Sequence, residues 1–232
     1  MPDYREIYRC AAPAYDRMVA HEDVDGAVIA TLAGLVPLDG ARVIEVGVGT
    51  GRVTRQLVRS GARVRGVEPE QAMLTIAQEH VRTLGGDSSA LVLGSLDALP
   101  FETASAELAV AGWVFGHQRS FEPLRWRETV SVGIAEMTRV VTRGGHVVLF
   151  ETLGTAVEEP FVRPDLAELQ DDLERSHGFE RRILRTDYQF AHAEEAATTL
   201  AFFFGSAVAE RIRERGWARV PEWTGAWCKR VP

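Results

Sequence analysis

The residues best suited to chemistry lie in one run, Val43-Ile44-Glu45-Val46-Gly47-Val48-Gly49-Thr50-Gly51-Arg52. Glycine has no Cβ and tolerates positive φ, so a turn rich in it lets backbone come close to a ligand. Glu45 stands beside that turn. Glu68 ends the next apolar run, where a carboxylate can accept both hydroxyls of a ribose. A pyrophosphate turn needs G-x-G-x-x-G, so that the phosphates rest on a helix N-terminus. Counted from Gly47 and Gly49, the third glycine should fall at position 52, which is Arg52; Gly51 comes one place early. Glu45 would also repel phosphates while attracting an amino group. The pattern points to a cationic, ribose-bearing ligand without phosphates.

Such a turn has to stand at the end of a buried strand and the start of a helix. Residues 42–47 are a short β-branched run ending in glycine, a buried parallel strand by composition. Further strands are expected at 63–67, 90–94, 107–112 and 146–151, with helices at 53–59, 70–84 and 128–141 between them. Strand and helix alternating in this way is the pattern of a doubly wound sheet. Residues 1–38 read as a helical cap, with Tyr4, Tyr8 and Tyr15 among charges. The last third predicts a helix at 165–176, a strand at 179–190, a long helix at 194–215 and a strand at 216–230. The expected fold is α/β: a doubly wound, mostly parallel seven-stranded sheet with helices on both faces and an antiparallel final strand. No Pro/Gly/Ser-rich linker divides the chain, so residues 1–232 are taken as one domain. Its parts are a cap (1–38), a ligand-binding core (41–151) and a C-terminal part completing the sheet (152–232).

The glycine run resembles motif I of class I S-adenosylmethionine-dependent methyltransferases, loosely E-x-G-x-G-T-G. Gly66-Val67-Glu68-Pro69, followed by Ala72-Met73-Leu74, is similar to the family's second-strand ending. Gly94-Ser95-Leu96-Asp97-Ala98-Leu99-Pro100-Phe101 resembles its G-D-A-x-x-L-P-F segment. Glu136 to Gly145 resembles its E-x-x-R-V-L-x-P-G-G approach to the fifth strand, and Ala14 to Met18 its Y-D-x-M lead-in. The four ordered motifs cover residues 41–151. The resemblance implies an enzyme that binds S-adenosylmethionine and releases S-adenosylhomocysteine. It implies cofactor contacts at Tyr15, Glu45, Gly47, Gly49, Thr50, Gly51, Glu68, Pro69, Met73, Ser95, Leu96, Asp97, Gly112 and Trp113. Two positions depart from the pattern. Ser95 stands where the family often has an aspartate for the adenine amino group, with Asp97 close enough to substitute, and Arg143 replaces the usual proline before Gly144.

Methyl transfer is an in-line displacement, so the main task is to hold nucleophile and methyl carbon in line. Strong stabilisation of the sulfonium would oppose it. The segment after the fourth strand, residues 112–117, usually lines the transfer site in this family. His117 is the candidate general base there because its ordinary pKa lies near neutrality. Trp113 offers an aromatic or cation–π wall. Residues 121–127 are read as a long connection that shapes specificity.

Other functions fit less well. The chain has 46% apolar and 25% charged residues and a net charge of −7, which suits a globular core and disfavours a nucleic-acid partner. No apolar run is long enough for a bilayer, and no signal-like segment opens the chain, so a cytoplasmic location is expected. Cys10 and Cys228 are too few for a disulfide framework. His21, Glu22 and Asp23 read as a solvated face near the mouth of the site, not a metal set. Phe202 to Phe204 leave room for a homodimer contact or for core packing. The expected activity is methylation of a small molecule. The alternatives are a non-catalytic cofactor-binding module, motivated by Ser95, and a nicotinamide oxidoreductase, disfavoured by the shifted glycine. A methyltransferase for RNA or protein is a further alternative, its base-amine version disfavoured by charge and by the lack of an N-P-P-Y-like run after the fourth strand.

Overall fold

The computed structural model describes residues 4–232, so the first three residues of the expected cap lie outside the described residues. The cap is three helices, α1 (Tyr4–Cys10), α2 (Ala12–Val19) and α3 (Ala27–Ala33), broken at Ala11 and at Gly26, whose φ is +69°. The core follows as β1 (Arg42–Val46), α4 (Arg52–Arg59), β2 (Arg63–Glu68), α5 (Gln71–Thr83), β3 (Leu91–Leu93) and β4 (Ala106–Gly112). Next come α6 (Phe115–Phe121), α7 (Trp126–Val140) and β5 (Val141–Thr155). The chain ends with α8 (Pro164–Arg175), β6 (Glu180–Arg185), β7 (Tyr188–Gln189), α9 (Ala193–Phe204), α10 (Ser206–Arg215), β8 (Arg219–Val220) and β9 (Glu222–Arg230).

The seven-stranded sheet has the order β3-β2-β1-β4-β5-β9-β6. Strands β1 to β5 pair in parallel, and β9 runs antiparallel to both neighbours. This is the expected architecture. Alternation along each strand feeds two cores. Ile44 and Val46 face Val130, Ile134 and Met137 of α7, whereas Val43 faces the α3, α4 and α5 side with Leu32, Leu57 and Leu74. A third cluster joins the cap to α9 and α10 through Met18, Val19, Leu200 and Phe203.

The differences from the expected elements have local causes. The long helix of 194–215 is two, because Gly205 sits at φ +88°, ψ 174°, a region essentially closed to other residues. The strand of 216–230 is interrupted at Pro221, which lacks an N–H for the ladder. The strand of 179–190 splits, its second part pairing with β8 in a separate ribbon. Gly144-Gly145 does not stop the fifth strand. Gly144 takes φ +84°, a Cβ on Gly145 would lie 2.5 Å from the Glu107 carbonyl, and the β4–β5 register shifts there. Residues 115–121, which carry no expected element, form α6, so the connection expected at 121–127 begins inside a helix.

The cap is tied to the core by side chains. Asp16 meets His80 of α5 at 3.0 Å, and Glu22 pairs with Arg52. Asp23 accepts from the Ala27 and Val28 amides at 2.7 and 3.1 Å, opening α3. This corrects the solvated-face reading of residues 21–23: Glu22 and Asp23 are 8% and 7% exposed.

Candidate active site

Strands β1 to β5 are parallel, so their carboxyl ends form one edge, and the order turns back between β1 and β4. Ligand crevices of open α/β sheets lie at that place. The glycine turn leaves β1 there, with φ of +70° at Gly47, +59° at Gly49 and +89° at Gly51. A Cβ on Gly47 would strike the Val114 side chain at 2.4 Å. A Cβ on Gly49 would meet only the Met73 methyl, at 3.8 Å, so that face of the turn is open. A Cβ on Gly51 would touch Ala77 at 3.4 Å, bringing α4 and α5 together.

Two acids lie under and beside the turn. Glu68 Oε2 accepts from the Gly49 amide at 2.8 Å and its Oε1 from the Glu70 amide at 3.1 Å. Each oxygen keeps a lone pair for a hydroxyl. Glu45 Oε2 accepts from the Thr54 hydroxyl at 2.6 Å. Burial pushes the Glu45 carboxyl up to about 8 and that of Glu68 up to about 7, against the weaker opposing pull of those hydrogen bonds. Nearby positive charge would restore both to the ionised form. Thr50 Oγ1 is buried with no hydrogen-bond partner. An open backbone face, two acids short of a counter-charge and an orphaned hydroxyl fit a cationic nucleoside with free ribose hydroxyls.

The remaining expected contacts gather at the same edge. Pro69 follows β2, and Met73 reaches Gly49 from α5. Ser95 and Asp97 are exposed beyond β3 and hydrogen-bonded to each other, while Leu96 leans onto Phe115 and Gly133. Gly112 ends β4, and Trp113 follows it at φ +57°, a strained value for a bulky residue.

Beyond Trp113 lies a cavity that none of Glu45, Gly47, Gly49, Glu68, Met73, Ser95, Leu96 or Asp97 lines. Tyr4, Tyr8, Tyr15, Trp113, Tyr188 and Phe203 supply its aromatic walls. The Arg52 guanidinium lies 3.3 Å from the Trp113 ring centroid and pairs with Glu22. Three buried carboxyls look inward: Glu22, Glu151 and Glu222. Glu151 Oε1 accepts from the Phe115 and Gly116 amides at 2.8 and 3.0 Å. Glu222 Oε1 accepts from Thr152 at 3.0 Å, and its Oε2 is buried with no partner of hydrogen-bonding geometry. Burial raises Glu151 to about 7 and Glu222 to about 8.

His117 lines the cavity as expected. Its Nε2 lies 2.8 Å from the Tyr8 hydroxyl, and its ring packs between Tyr4 and Phe121. Burial, helped by Arg163, pushes it down to about 4, so near neutrality the ring is uncharged and only weakly basic. That differs from the near-neutral titration expected of it. Tyr15 and Trp113 also line the cavity and so stand between cavity and crevice. Phe203 and Phe204 are used within the chain as cavity wall.

Glu151 and Glu222 are cavity residues that the sequence reading does not single out, and Glu22, expected near the mouth of the site, lines it as a buried acid. Glu151 carried a signal: like Glu68, it is an acid after an apolar strand, Val147 to Phe150. Glu222, next to Pro221 in a mixed segment, carried none.

A family model described as a methyltransferase domain matches residues 44–149. An uncharacterized methyltransferase of Bacillus mycoides (strain KBAB4) is 27% identical over 185 residues, covering 76% of this chain and 78% of the relative. Two solved structures share the fold. The cyclase SpnF has a TM-score of 0.55 at 20% identity, over 88% of this chain and 81% of that one. Phosphoethanolamine N-methyltransferase 2 of Haemonchus contortus, in complex with S-adenosylhomocysteine, has a TM-score of 0.54 at 17% identity, over 87% of this chain and 52% of that one.

Proposed function

We propose that the chain is a class I S-adenosylmethionine-dependent methyltransferase and that it methylates a small molecule held in the aromatic cavity. The observation that carries this reading is the meeting of two differently built sites at Trp113 and Arg52. The glycine crevice suits a charged nucleoside, and the aromatic-lined cavity suits an organic acceptor.

In this reading Glu68 takes the ribose, and the backbone of Gly47, Gly49 and Gly51, with Thr50 and Gly112, faces the rest of the cofactor. Glu45 supplies negative charge beneath the turn, Pro69 and Met73 close its flank, and Ser95, Leu96 and Asp97 border the adenine. Bound there, the cofactor supplies an electrophilic methyl group on a sulfonium sulfur. The chain's own contribution is alignment, an entropic gain. Trp113, fixed at its strained φ and backed by Phe150 at 6.0 Å, gives a rigid wall between the two ligands. Tyr15 closes over the junction from the cap. His117, uncharged at neutral pH, holds the Tyr8 hydroxyl in one orientation inside the cavity.

The recessed, aromatic-lined cavity and the net charge of −7 support a small acceptor over a nucleic acid. Among the described residues no helix is long and apolar enough to cross a membrane; a cytoplasmic site of action is part of the proposal. A non-transferring, cofactor-binding role is the second reading, favoured by Ser95 alone.

Calorimetric titration with S-adenosylhomocysteine, followed by labelled-methyl transfer to a metabolite library, tests both readings. Binding with transfer supports the proposal. Binding with no transfer selects the second reading, and no heat at millimolar ligand rejects both. His117→Ala is expected to lower turnover roughly tenfold, as loss of one positioned hydrogen bond would. Its affinity for S-adenosylhomocysteine should stay within about twofold of the wild type. Unchanged turnover would remove His117 from the mechanism.

A further inference from the structure

We propose that the acceptor carries a basic nitrogen, which enters the cavity as an ammonium between Glu151 and Glu222 and gives its proton to Glu222. This rests on the methyl-transfer reading above and names the substrate class for it.

The charges of the cavity decide the matter. Its two cations are matched within the chain: Arg52 pairs with Glu22, and Arg163 with Asp165 at 2.6 Å. His117 is uncharged near neutrality. Glu151 and Glu222 remain, 4% and 2% exposed, and among the described residues neither has an ion-pair partner. Glu151 has the amides of Phe115 and Gly116 on one oxygen. Glu222, which lines the cavity, has Thr152 on Oε1, while Oε2 is buried with no hydrogen-bond partner. Buried carboxylates left this way are costly unless a counter-charge arrives. A neutral hydroxyl could donate one hydrogen bond but would leave the charge uncompensated. An ammonium donates several and cancels it. The walls suit the same ligand, since Tyr8, Tyr15, Trp113 and Tyr188 line the cavity and the face of such a ring attracts a cation.

The cofactor's own amino group is a poorer candidate. Of the fourteen residues expected to contact the cofactor, only Tyr15 and Trp113 line this cavity. The unmatched acids come instead from β5 and β9, on the far side of β4 from the glycine turn.

The chemistry balances. The ammonium N–H bond breaks, leaving its electron pair on nitrogen and its proton on Glu222. That pair forms the new N–C bond, and the electrons of the broken C–S bond stay on sulfur. The groups facing Glu222 are Arg52, Asp187, Tyr188, Thr152 and Thr155, with Asp187 Oδ1 accepting the Glu222 amide at 3.1 Å. Arg52 and the threonine hydroxyls favour its charged form, and burial and Asp187 oppose it. A carboxyl poised near neutrality takes a proton and returns it within one cycle.

The test uses phenethylammonium and 2-phenylethanol, alike in shape and unlike in charge. Each is titrated into the full chain by calorimetry, with and without saturating S-adenosylhomocysteine. Phenethylammonium is expected to bind at least about tenfold more tightly, a difference of one desolvated charge contact. In Glu222→Gln the preference should shrink to about twofold or less, with affinity for S-adenosylhomocysteine unchanged. Equal or tighter binding of the alcohol overturns the assignment in the wild type alone, so the decision survives even if the variant does not fold. A preference intact in a folded Glu222→Gln also overturns it. Absence of S-adenosylhomocysteine binding would instead overturn the methyl-transfer reading, and with it the transfer step.

Discussion

The glycine crevice and the aromatic cavity share one sheet edge and meet at Tyr15 and Trp113, yet they are made of different material. The crevice is backbone: three glycines at positive φ within five positions, and an acid at the tip of the neighbouring strand. The cavity is side chain, collected from Tyr4 to Glu222 through both cap and C-terminal elements. A backbone site is fixed by the fold that makes it and changes little as side chains drift. A side-chain site can be rebuilt without touching the sheet. One half of this protein therefore reads as a family trait and the other as its own specificity.

The largest expected effect separates the two regions outright. Gly49→Arg sends a side chain into the open face of the turn, where only the Met73 methyl stands near. Affinity for S-adenosylhomocysteine should fall by about 100-fold or more, since the ligand's place is filled. A non-glycine residue at φ +59° costs about 1–2 kcal/mol, so the fold should survive. Phenethylammonium binding to the cavity should persist. Gly47→Ala is the contrast, because its Cβ would lie 2.4 Å from Val114 and the loss there is one of folding. Wild-type cofactor affinity in Gly49→Arg, measured by calorimetry, would show that the ligand lies elsewhere.

Next comes a property the two regions share. Each holds two buried acids above their ordinary range, Glu45 at about 8 and Glu68 at about 7 in the crevice, Glu151 at about 7 and Glu222 at about 8 in the cavity. When a carboxyl's folded pKa lies above its unfolded one, the folded state binds more protons between the two values. Stability then falls as pH rises through that window. The window runs from about 4.5, the unfolded value, to about 8. The scale is about 1.4 kcal/mol per pKa unit per group, of which relaxation leaves a part. The thermal midpoint should drop by on the order of 10 °C between pH 5 and pH 8.5. Glu45→Gln and Glu222→Gln should each flatten that slope, and a midpoint that rises over this range would contradict the burial argument.

A smaller effect confines itself to the cavity. Gly205 holds φ +88° and ψ 174° between α9 and α10, directly after the wall residues Phe203 and Phe204. Gly205→Ala should cost about 1–3 kcal/mol of stability. It should also weaken phenethylammonium binding roughly threefold while leaving S-adenosylhomocysteine affinity alone. Equal losses at both sites, by calorimetry, would mean that the corner supports the whole edge and not the cavity wall.

How much could be read beforehand follows the same division. The parallel core was legible because buried strands advertise themselves as β-branched runs, such as Val43 to Val46, and glycines mark their ends. Motifs confined to a few consecutive residues placed Gly47, Gly49 and Glu68 at one edge. The cavity was not legible. Glu22, Glu151 and Glu222 are scattered in sequence and meet only through the cap's docking and the antiparallel entry of β9. Reading Glu22 as solvated failed because helical geometry was assumed where the chain turns toward α3, with Asp23 capping it. His117 lines the cavity, but its free-solution pKa says nothing of the aromatic enclosure that lowers it.

The smallest effect is expected at Ser95 and Asp97, where the sequence departs from the motif it resembles. Ser95 and Asp97 are both exposed, and the Ser95 hydroxyl donates to the Asp97 carboxylate. That bond spends the serine's one proton and leaves its lone pairs, while aiming the carboxylate from two residues away. If Asp97 accepts the adenine amino group, Asp97→Ala should weaken S-adenosylhomocysteine binding about fivefold, the worth of one exposed hydrogen bond to a charged group. Ser95→Ala, which frees the carboxylate without removing it, should cost about twofold. If Ser95 makes the contact itself, the order of the two losses reverses. Ser95→Asp then gains affinity, whereas beside a functional Asp97 it brings two like charges together and loses it.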